Sequence, residues 1–558
     1  MTIYDIEETQ SKIGLPILKI NNYILHSKYD PIKEAQQFAD RHFKSGHIHF
    51  VFGYGRGYFI EQLLTKCTND ELIVVVEPII KNIKVKHPHL KIIESNKGSV
   101  LKEEIGKLNT VISQKAVLCS PNYDKLCVQE YKIFLEIINN KFKLDNVNEI
   151  TVRRYSIEWQ RNYLLNLNNS RGDAPLSDLY NSFEFPVVIA SGGPSLTKQL
   201  PLLKKVRKNV VLIAAGSTVN TLQANNIKPD FVVSIDGGEP NYQHFKEVFY
   251  NDVSLIYSML HHYKINDSFQ SLNYYFLPEH LPTLKQHFDS ISDSSITTCF
   301  LGMSVANTAF EIALNLTSGP IALIGQDLAY TDGKTHAEGN KNFKTTTEEF
   351  KIKQGLFPIK GYYNDIVLTN NAFFSMKDSF EQIKRKYCAD RTIYNCTEGG
   401  VNIDGFTNIP FKSFIEQFIK MNVECILSPK GKNNKINKNI MDYLQNEIEA
   451  FTKAKRLIQK NLSLLVTNKT KTSFSSSTLK KMEKNDEEIE TLLNETSFSV
   501  IADPIRLDVL KNYHPKTNES NVEAYSRVFN QNKELYSRML HAIEITKDFT
   551  LQVIKKEE

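Results

Sequence analysis

The sequence predicts a multidomain α/β protein: a Rossmann-like N-terminal domain, a central doubly wound α/β domain and an all-α C-terminal domain. Three observations carry this. Short apolar strands alternate with helices up to about Asn148. Strand, small-residue loop and helix then repeat between about Phe185 and Met421. Strand signals almost vanish after about Glu424.

In the first section, Ile48–Phe52 reads as a short strand, Tyr58–Leu64 as a helix and Leu72–Val76 as a second strand. Strands that are apolar throughout belong to sheets covered on both faces. A polar helix, Trp159–Leu167, then leads to the breaker cluster Ser170-Arg-Gly-Asp-Ala-Pro175, which reads as part of a linker. In the central section, strands are predicted at Pro186–Ala190, Val210–Ala214, Phe231–Ile235 and Ile321–Ile324, and helices at Val219–Asn225 and Met303–Leu316. In the last section, Tyr443, Leu444, Ile448, Phe451, Leu457 and Ile458 recur at helical spacing, as do Tyr525, Val528, Phe529, Leu535, Tyr536, Met539, Leu540 and Ile543. A Ser/Lys-rich stretch, Thr470–Lys481, separates these pieces. The expected domains are 1–150, a helical linker 151–184, a ligand-binding domain 185–423 and a helical bundle 424–558, which fits the roughly 100–200 residues usual per domain.

Composition excludes several classes. Of 558 residues, 41% are apolar and 23% charged, enough for packed cores with an ordinary soluble surface. The net charge of +5 is dispersed and argues against nucleic-acid binding. The seven cysteines are scattered without a Cys-x-x-Cys pair, so a reducing cytoplasm is expected and a zinc knuckle is not. The acidic start, MTIYDIEETQ, predicts no signal peptide. No apolar run approaches the ~20 residues of a membrane span. His47, His49, His261 and His262 lack partners at metal-ligand spacing and read as structural or surface residues.

The most informative stretch is PVVIASGGPSL at 186–196. A buried strand ends at Ser191, Gly192 and Gly193 follow, and Pro194 suits the first turn of a helix. Glycines let a backbone approach a ligand or adopt conformations closed to other residues. The free N–H groups and positive dipole end of the helix suit a phosphate. Two more small-residue loops, Ala215-Gly216-Ser217 and Asp236-Gly-Gly, are expected on the same sheet edge, where open α/β sheets bind ligands. Asp236 has two readings, a functional carboxylate or a helix cap. The segment Tyr330-Thr-Asp-Gly-Lys-Thr-His-Ala-Glu338 reads as a lid hinged at Gly333 and Gly339. It brings His336, whose unperturbed pKa is about 6.5, over the crevice as a candidate base.

ASGGPSL, AAGST and KPDFVVSIDGGEP together resemble the central domain of the motility-associated-factor (Maf) glycosyltransferases. The likeness continues in FLGMSVANTAFEIALNLTSGPIALIGQDLAYTDGKTHAEG (300–339), NCTEGGVNIDGF (395–406) and YILHSKYDPIKEAQQFA (23–39). That domain is in turn similar to bacterial sialyltransferases that use a CMP-activated sugar. Their Gly-x-Gly-Pro-Ser-Leu loop is matched by Ser191–Leu196, and their Gly-Ile-Asp-Phe-Tyr segment by Gly325–Ala329. The tyrosine of that segment falls on Ala329, and Tyr330 follows one place later.

The resemblance implies a cytoplasmic enzyme of flagellar assembly and motility. It would transfer a sialic-acid-like nonulosonic acid, such as pseudaminic or legionaminic acid, from its CMP ester to Ser or Thr of flagellin. Nucleotide contacts are then expected from Ser191, Gly192, Gly193, Pro194, Ser195, Gly216, Ser217, Gly302, Ser304, Gln326, Asp327 and Leu328. His336 and Asp236 are rival general bases, and either Tyr330 takes over the phosphate-facing role by a loop shift or the leaving group is stabilised differently. No metal is strictly required, a divalent ion is compatible, and homo-oligomerisation is left open. The central domain also resembles an archaeal pterin diphosphokinase family, which would use ATP and Mg²⁺. A third reading is a non-enzymatic flagellin-binding chaperone.

Two further expectations follow. His49-Phe-Val-Phe-Gly-Tyr-Gly-Arg-Gly57, with Glu77 about twenty residues on, has the pattern of a dinucleotide or S-adenosylmethionine site. It reads as a scaffold that keeps the turn without the ligand, because no methyltransferase residues follow. The helical C-terminal section reads either as a platform for flagellin or as stripes that pack on one another. In the first case, removal from about residue 430 leaves nucleotide binding intact.

Overall fold

The computed structural model describes residues 4–68, 71–108, 114–292, 295–425, 440–468, 473–494, 496–513, 515 and 519–557. It divides into two compact units. One comprises 1–154, 458–485 and 502–540, the other 155–457, 486–501 and 541–558. The helices after residue 424 are therefore shared between the units.

The first unit opens with an antiparallel sheet of β1 (Ile6–Gln10), β2 (Pro16–Ile20) and β3 (Tyr23–Ile24). Then β4 (His47–Phe52), β5 (Leu72–Val76), β6 (Leu90–Ile93) and β7 (Gln114–Cys119) form a parallel sheet in the order β6-β5-β4-β7. This is the 3-2-1-4 arrangement of a Rossmann half. Phe50 and Phe52 pack with Phe134 and Ile138 on one face, and Val51, Ile73 and Val75 with Ile60 and Leu63 on the other. Burial on both faces explains why these strands are apolar without alternation.

The second unit holds a ten-stranded parallel sheet: β8 (Ala174–Pro175), β9 (Val187–Ala190), β10 (Val211–Ala215), β11 (Phe231–Ser234), β12 (Ser254–Ser258), β13 (Tyr274–Pro278), β14 (Thr298–Cys299), β15 (Ile321–Ile324), and, beyond a hairpin of β16 (Phe357–Lys360) and β17 (Ile366–Thr369), β18 (Ile393–Asn395) and β19 (Thr407–Asn408). The order is β14-β13-β12-β11-β10-β9-β15-β18-β19, with β8 also on β13. Val188 and Ala190 face a core with Leu196, Leu222 and Leu284, and Val187 and Ile189 face one with Phe310 and Phe380. Helices thus cover both faces, as a doubly wound sheet requires.

Two segments behave differently from their sequence reading. The helix before the breaker cluster runs unbroken over Val128–Asn169, and the cluster ends as β8, paired through Ala174 and Pro175 to Tyr274 and Tyr275. The Asp173 carboxylate accepts from the Tyr257 hydroxyl at 2.8 Å, and burial raises its pKa to about 6. Ala174 and Pro175 are therefore part of the sheet, and Asp173 is tied to it, rather than lying in a free connection. The C-terminal helices are Ile440–Asn468, Ser476–Asn494, Ser499–Asn512 and Asn521–Glu557. Residues 470–472 of the predicted Ser/Lys-rich spacer lie outside the described residues. Ile440, Leu444, Val500, Val553 and Ile554 join the core beneath the ten-stranded sheet. Glu447 accepts from His287 Nε2 at 2.9 Å and from the Ser497 amide at 2.8 Å, all buried. Removal from about residue 430 would strip this core, so that truncation cannot leave the ten-stranded sheet untouched.

Candidate functional site at the sheet switch point

From β9 the chain winds outward through β10 to β14, then returns to β15 on the opposite side of β9. The switch point therefore lies between β9 and β15, whose carboxyl ends carry Ser191–Ser195 and Gly325–Leu328. The two loops are tied together. The Ser191 hydroxyl donates to Gln326 Oε1 at 2.6 Å, and the Gly193 amide donates to the Gly325 carbonyl at 2.9 Å. The Ser195 hydroxyl donates to Asp327 Oδ2 at 2.6 Å, and its amide lies 3.2 and 3.3 Å from the two carboxylate oxygens.

This arrangement alters the role expected of the glycine loop. Asp327 is 1% exposed and already occupies the Ser195 amide, the place where a phosphate was expected. Burial raises its pKa, and the Ser195 and Thr331 donors partly offset this. Neither Gly192 nor Gly193 has positive φ. Gly193 is needed for space, because a Cβ there would overlap Asp327 Oδ2 and the Gly325 carbonyl. Pro194 sits in the turn before the helix, which starts at Leu196. The Ser195 hydroxyl and amide thus hold the protein's own carboxylate. Leu328, buried, has φ of +51°, a conformation costly for a residue with a side chain, and its carbonyl accepts from Thr369 at 2.8 Å.

Gly192 remains open to the crevice. A Cβ there would lie 3.2 Å from Asn340 Nδ2, 3.5 Å from Thr218 Oγ1 and 3.8 Å from His336 Cδ2. The predicted lid is thereby placed over the loops. Ala337 donates its amide to the Gly192 carbonyl at 3.0 Å, Glu338 to Thr197 Oγ1 at 3.1 Å, and Asn340 Nδ2 to the Ser217 carbonyl at 3.3 Å. Gly333 and Gly339, the proposed hinges, have φ of +67° and +83°. In this structure the segment is fastened down. Gly216 packs against Val305, so the Gly216-Ser217 loop meets the start of helix Val305–Leu316. Ser304 caps that helix through the Asn307 amide at 3.2 Å, and a Cβ on Gly302 would overlap Asn307. Both therefore have structural work at this edge.

The structure brings His336 and Tyr330 together. They line one pocket of about 260 Å³ with Thr335, Asn342, Lys344, Phe350, Gln354 and Phe373. Tyr330 accepts from Asn370 Nδ2 at 2.8 Å, and burial raises its pKa, so it is a phenol that can donate. His336 has its pKa lowered chiefly by burial, which outweighs an opposing backbone bond to Asn342, and the neighbouring His244 adds a lesser push in the same direction as burial. Its Nδ1 is buried without a hydrogen-bond partner among the described residues. A neutral imidazole at neutral pH can accept a proton.

Asp236 does not share this pocket. Its carbonyl accepts from the His262 amide and Asn241 Nδ2, and the residue is exposed. The capping reading fails, because the next helix has Gly238 at its N-cap with no side-chain bond.

Several site residues were not legible in the sequence. Gln199, buried, accepts from the Gly325 amide at 3.0 Å and donates to the Cys396 carbonyl. Thr397 accepts from the Gln326 amide at 3.1 Å, and the Val401 amide donates to the Asp327 carbonyl at 2.8 Å. The loop after β18 thus packs on Asp327. His244 and Asn220 have buried polar atoms without partners among the described residues, and Asn220 Nδ2 donates to the His244 carbonyl. Gln199 is a polar residue inside an otherwise apolar helix face of Leu196, Leu200 and Leu203, which was the available signal.

Among the described residues no group of three His, Cys, Asp or Glu side chains is placed to hold a metal. His49 accepts from the Lys44 amide and stacks on Phe43, and His261 pairs with Asn266. His47 contacts the Ser45 carbonyl, and His262 stacks on Tyr242. These contacts are structural.

The N-terminal glycine loop is filled by the protein. A Cβ on Gly53 would overlap the Tyr123 ring, and Tyr123 accepts from the Gly55 amide at 3.0 Å and donates to Glu77 at 2.6 Å. Glu77 also receives the amides of Tyr54, Ile79 and Ile80. The acid that would hold a ribose is spent on backbone.

Comparison with known proteins agrees with this geometry in part. Residues 161–333 match the family described as 6-hydroxymethylpterin diphosphokinase MptE-like. That match ends at Gly333, just before His336. No curated protein matches the chain. A solved structure described as a MAf glycosyltransferase from Magnetospirillum magneticum AMB-1 is similar over 98% of this chain and 92% of its own, at 15% identity and a TM-score of 0.56. Across nearly its whole length, the chain therefore has the fold of that glycosyltransferase.

Proposed function

We propose that the protein is a glycosyltransferase that moves a sialic-acid-like nonulosonic acid from its CMP ester to Ser or Thr of flagellin in the cytoplasm, in support of flagellar assembly. The observation that carries this reading is the position of His336. Its ring borders Gly192 at the sheet switch point and also lines the pocket with Tyr330. In this reading the nucleotide lies over Ser191–Gly192, Gly216–Ser217 and the start of helix Val305–Leu316. His336 accepts the hydroxyl proton as the acceptor oxygen attacks the anomeric carbon. Tyr330 donates to the departing phosphate, whose new charge needs a fixed donor. Ser195 and Asp327 hold the loop rather than the ligand. No described helix is long and apolar enough to cross a membrane, which is compatible with action on a newly made protein.

The family match favours a second reading, a nucleotide-dependent diphosphokinase. Of the residues lining the His336 pocket, only Tyr330 lies within the matched segment. Intact-mass measurement of flagellin co-expressed with this chain and a nonulosonate pathway separates the two. An added nonulosonate mass supports the transferase. Unmodified flagellin together with diphosphorylation of a hydroxymethylpterin by ATP supports the kinase.

A further inference from the structure

We infer that the His336 pocket holds the acidic sugar ring itself, and that Lys344 selects for its carboxylate. This assignment rests on the transferase reading for its context, and on the pocket for its chemistry.

The size comes first. At about 260 Å³ the pocket is smaller than the roughly 300–1,000 Å³ of sites for drug-sized ligands, so it suits one ring rather than a whole nucleotide sugar. The walls come second. Tyr330 meets Phe350 edge-on at 5.4 Å and Phe373 at 5.3 Å, a braced aromatic surface suited to the C–H face of a sugar. Thr335, Asn342 and Gln354 supply hydroxyl and amide groups for ring substituents.

The charge decides the class. The lining residues include one lysine, Lys344, which is exposed and bonds Thr335 through its backbone, and no Asp or Glu. Four acids of the neighbouring segments are matched to other lysines: Asp332 to Lys198, Glu338 to Lys334, Glu348 to Lys351, and Glu247 to Lys341. None of the described ion pairs includes Lys344. A cation beside an aromatic wall, without a counterion, favours an anionic ligand. The anion could be a carboxylate or the phosphate of the nucleotide. In the transferase reading the phosphate lies over Gly192 and takes the Tyr330 hydroxyl, which leaves the carboxylate as the anion for Lys344.

The test uses the full chain and three probes: free N-acetylneuraminic acid, neutral N-acetylglucosamine, and CMP, each titrated with the wild type, K344M and K344R. The wild type should bind the acidic sugar saturably at roughly 10 mM or below, weak but measurable, and the neutral sugar at least tenfold more weakly. K344M should lose the acidic sugar at least tenfold with CMP affinity and melting temperature unchanged, and K344R should restore most of it. Equal binding of both sugars, no saturable acidic-sugar binding, or wild-type behaviour of K344M overturns the assignment. Loss of CMP rather than sugar affinity in K344M places Lys344 on the phosphate and also overturns it. Sugar binding that follows this pattern without transfer to flagellin would sink the transferase reading and leave the pocket assignment standing.

Discussion

The Asp327 carboxylate closes the turn at Ser195, accepting its hydroxyl at 2.6 Å from 132 residues away in the chain. Gly193 is the residue that makes room for this contact. Gly193→Ala should therefore destabilise the protein by about 1–3 kcal/mol through overpacking, with affinity changes secondary. Urea unfolding measures it. Gly192→Ala, whose Cβ would touch only the ends of side chains, should leave stability within about 0.5 kcal/mol and weaken CMP binding. Unchanged CMP affinity in Gly192→Ala would remove the loop from the nucleotide site.

His336→Ala should lower transfer to flagellin by about 10²–10⁴-fold with CMP affinity retained, the signature of a lost general base. The pH profile has a defined sign. Burial lowers the His336 pKa below 6.5, and in the proposed mechanism the neutral ring is the active form. Activity should rise through a pKa below 6.5 and be level from pH 7 to 8. Near-normal transfer by His336→Ala would make Asp236 the next residue to replace.

The N-terminal loop should bind no S-adenosylmethionine, because Tyr123 fills the space beside Gly53. Gly55 has φ of +60°, and a Cβ would lie 2.9 Å from the His26 ring. Gly55→Ala should thus act through stability alone. Saturable micromolar binding of that cofactor by calorimetry would overturn the scaffold reading.

Glu311 gives a pH-dependent stability. Burial is the main cause that raises its pKa from 4.5 to about 7. A group raised in the folded state stabilises fully below its unfolded pKa and loses that contribution as pH rises through the folded value. Wild-type stability should therefore fall, relative to Glu311→Gln, between about pH 4.5 and 7, by on the order of 3 kcal/mol. Melting curves of both proteins across this range check it. A constant difference would refute it.

A chain ending near residue 430 should fail to unfold cooperatively and should lose CMP binding, because Ile440, Leu444 and Val553 complete the core under the sheet. A well-folded, CMP-binding truncation would show that the C-terminal helices are separable after all.

Much of the frame was legible along the chain. Val187–Ala190, Val211–Ala215 and Ile321–Ile324 are short and apolar because both sheet faces are covered. The stripes at Leu444, Phe451 and Ile458 mark a helix with one buried face. The edge strands β8 and β14 span two residues each, too short for a period, and went unread. Ser254–Ser258 and Tyr274–Pro278 are as buried as their neighbours but carry serines, tyrosines and a proline, which hid them.

What can be read along the chain is the set of continuously apolar strands, the striped helices and the loops small enough to crowd a sheet edge, since these depend on residues within a few places of one another. Only the tertiary structure decided what occupies those loops. Asp327 fills the turn at Ser195, Tyr123 fills the turn at Gly53, and the 336–340 segment is bonded over Gly192. Each of these contacts joins parts of the chain that packing alone brings together. A glycine loop has the same local pattern whether its neighbour is a ligand or a side chain from a distant strand, so the occupant leaves no periodicity to read.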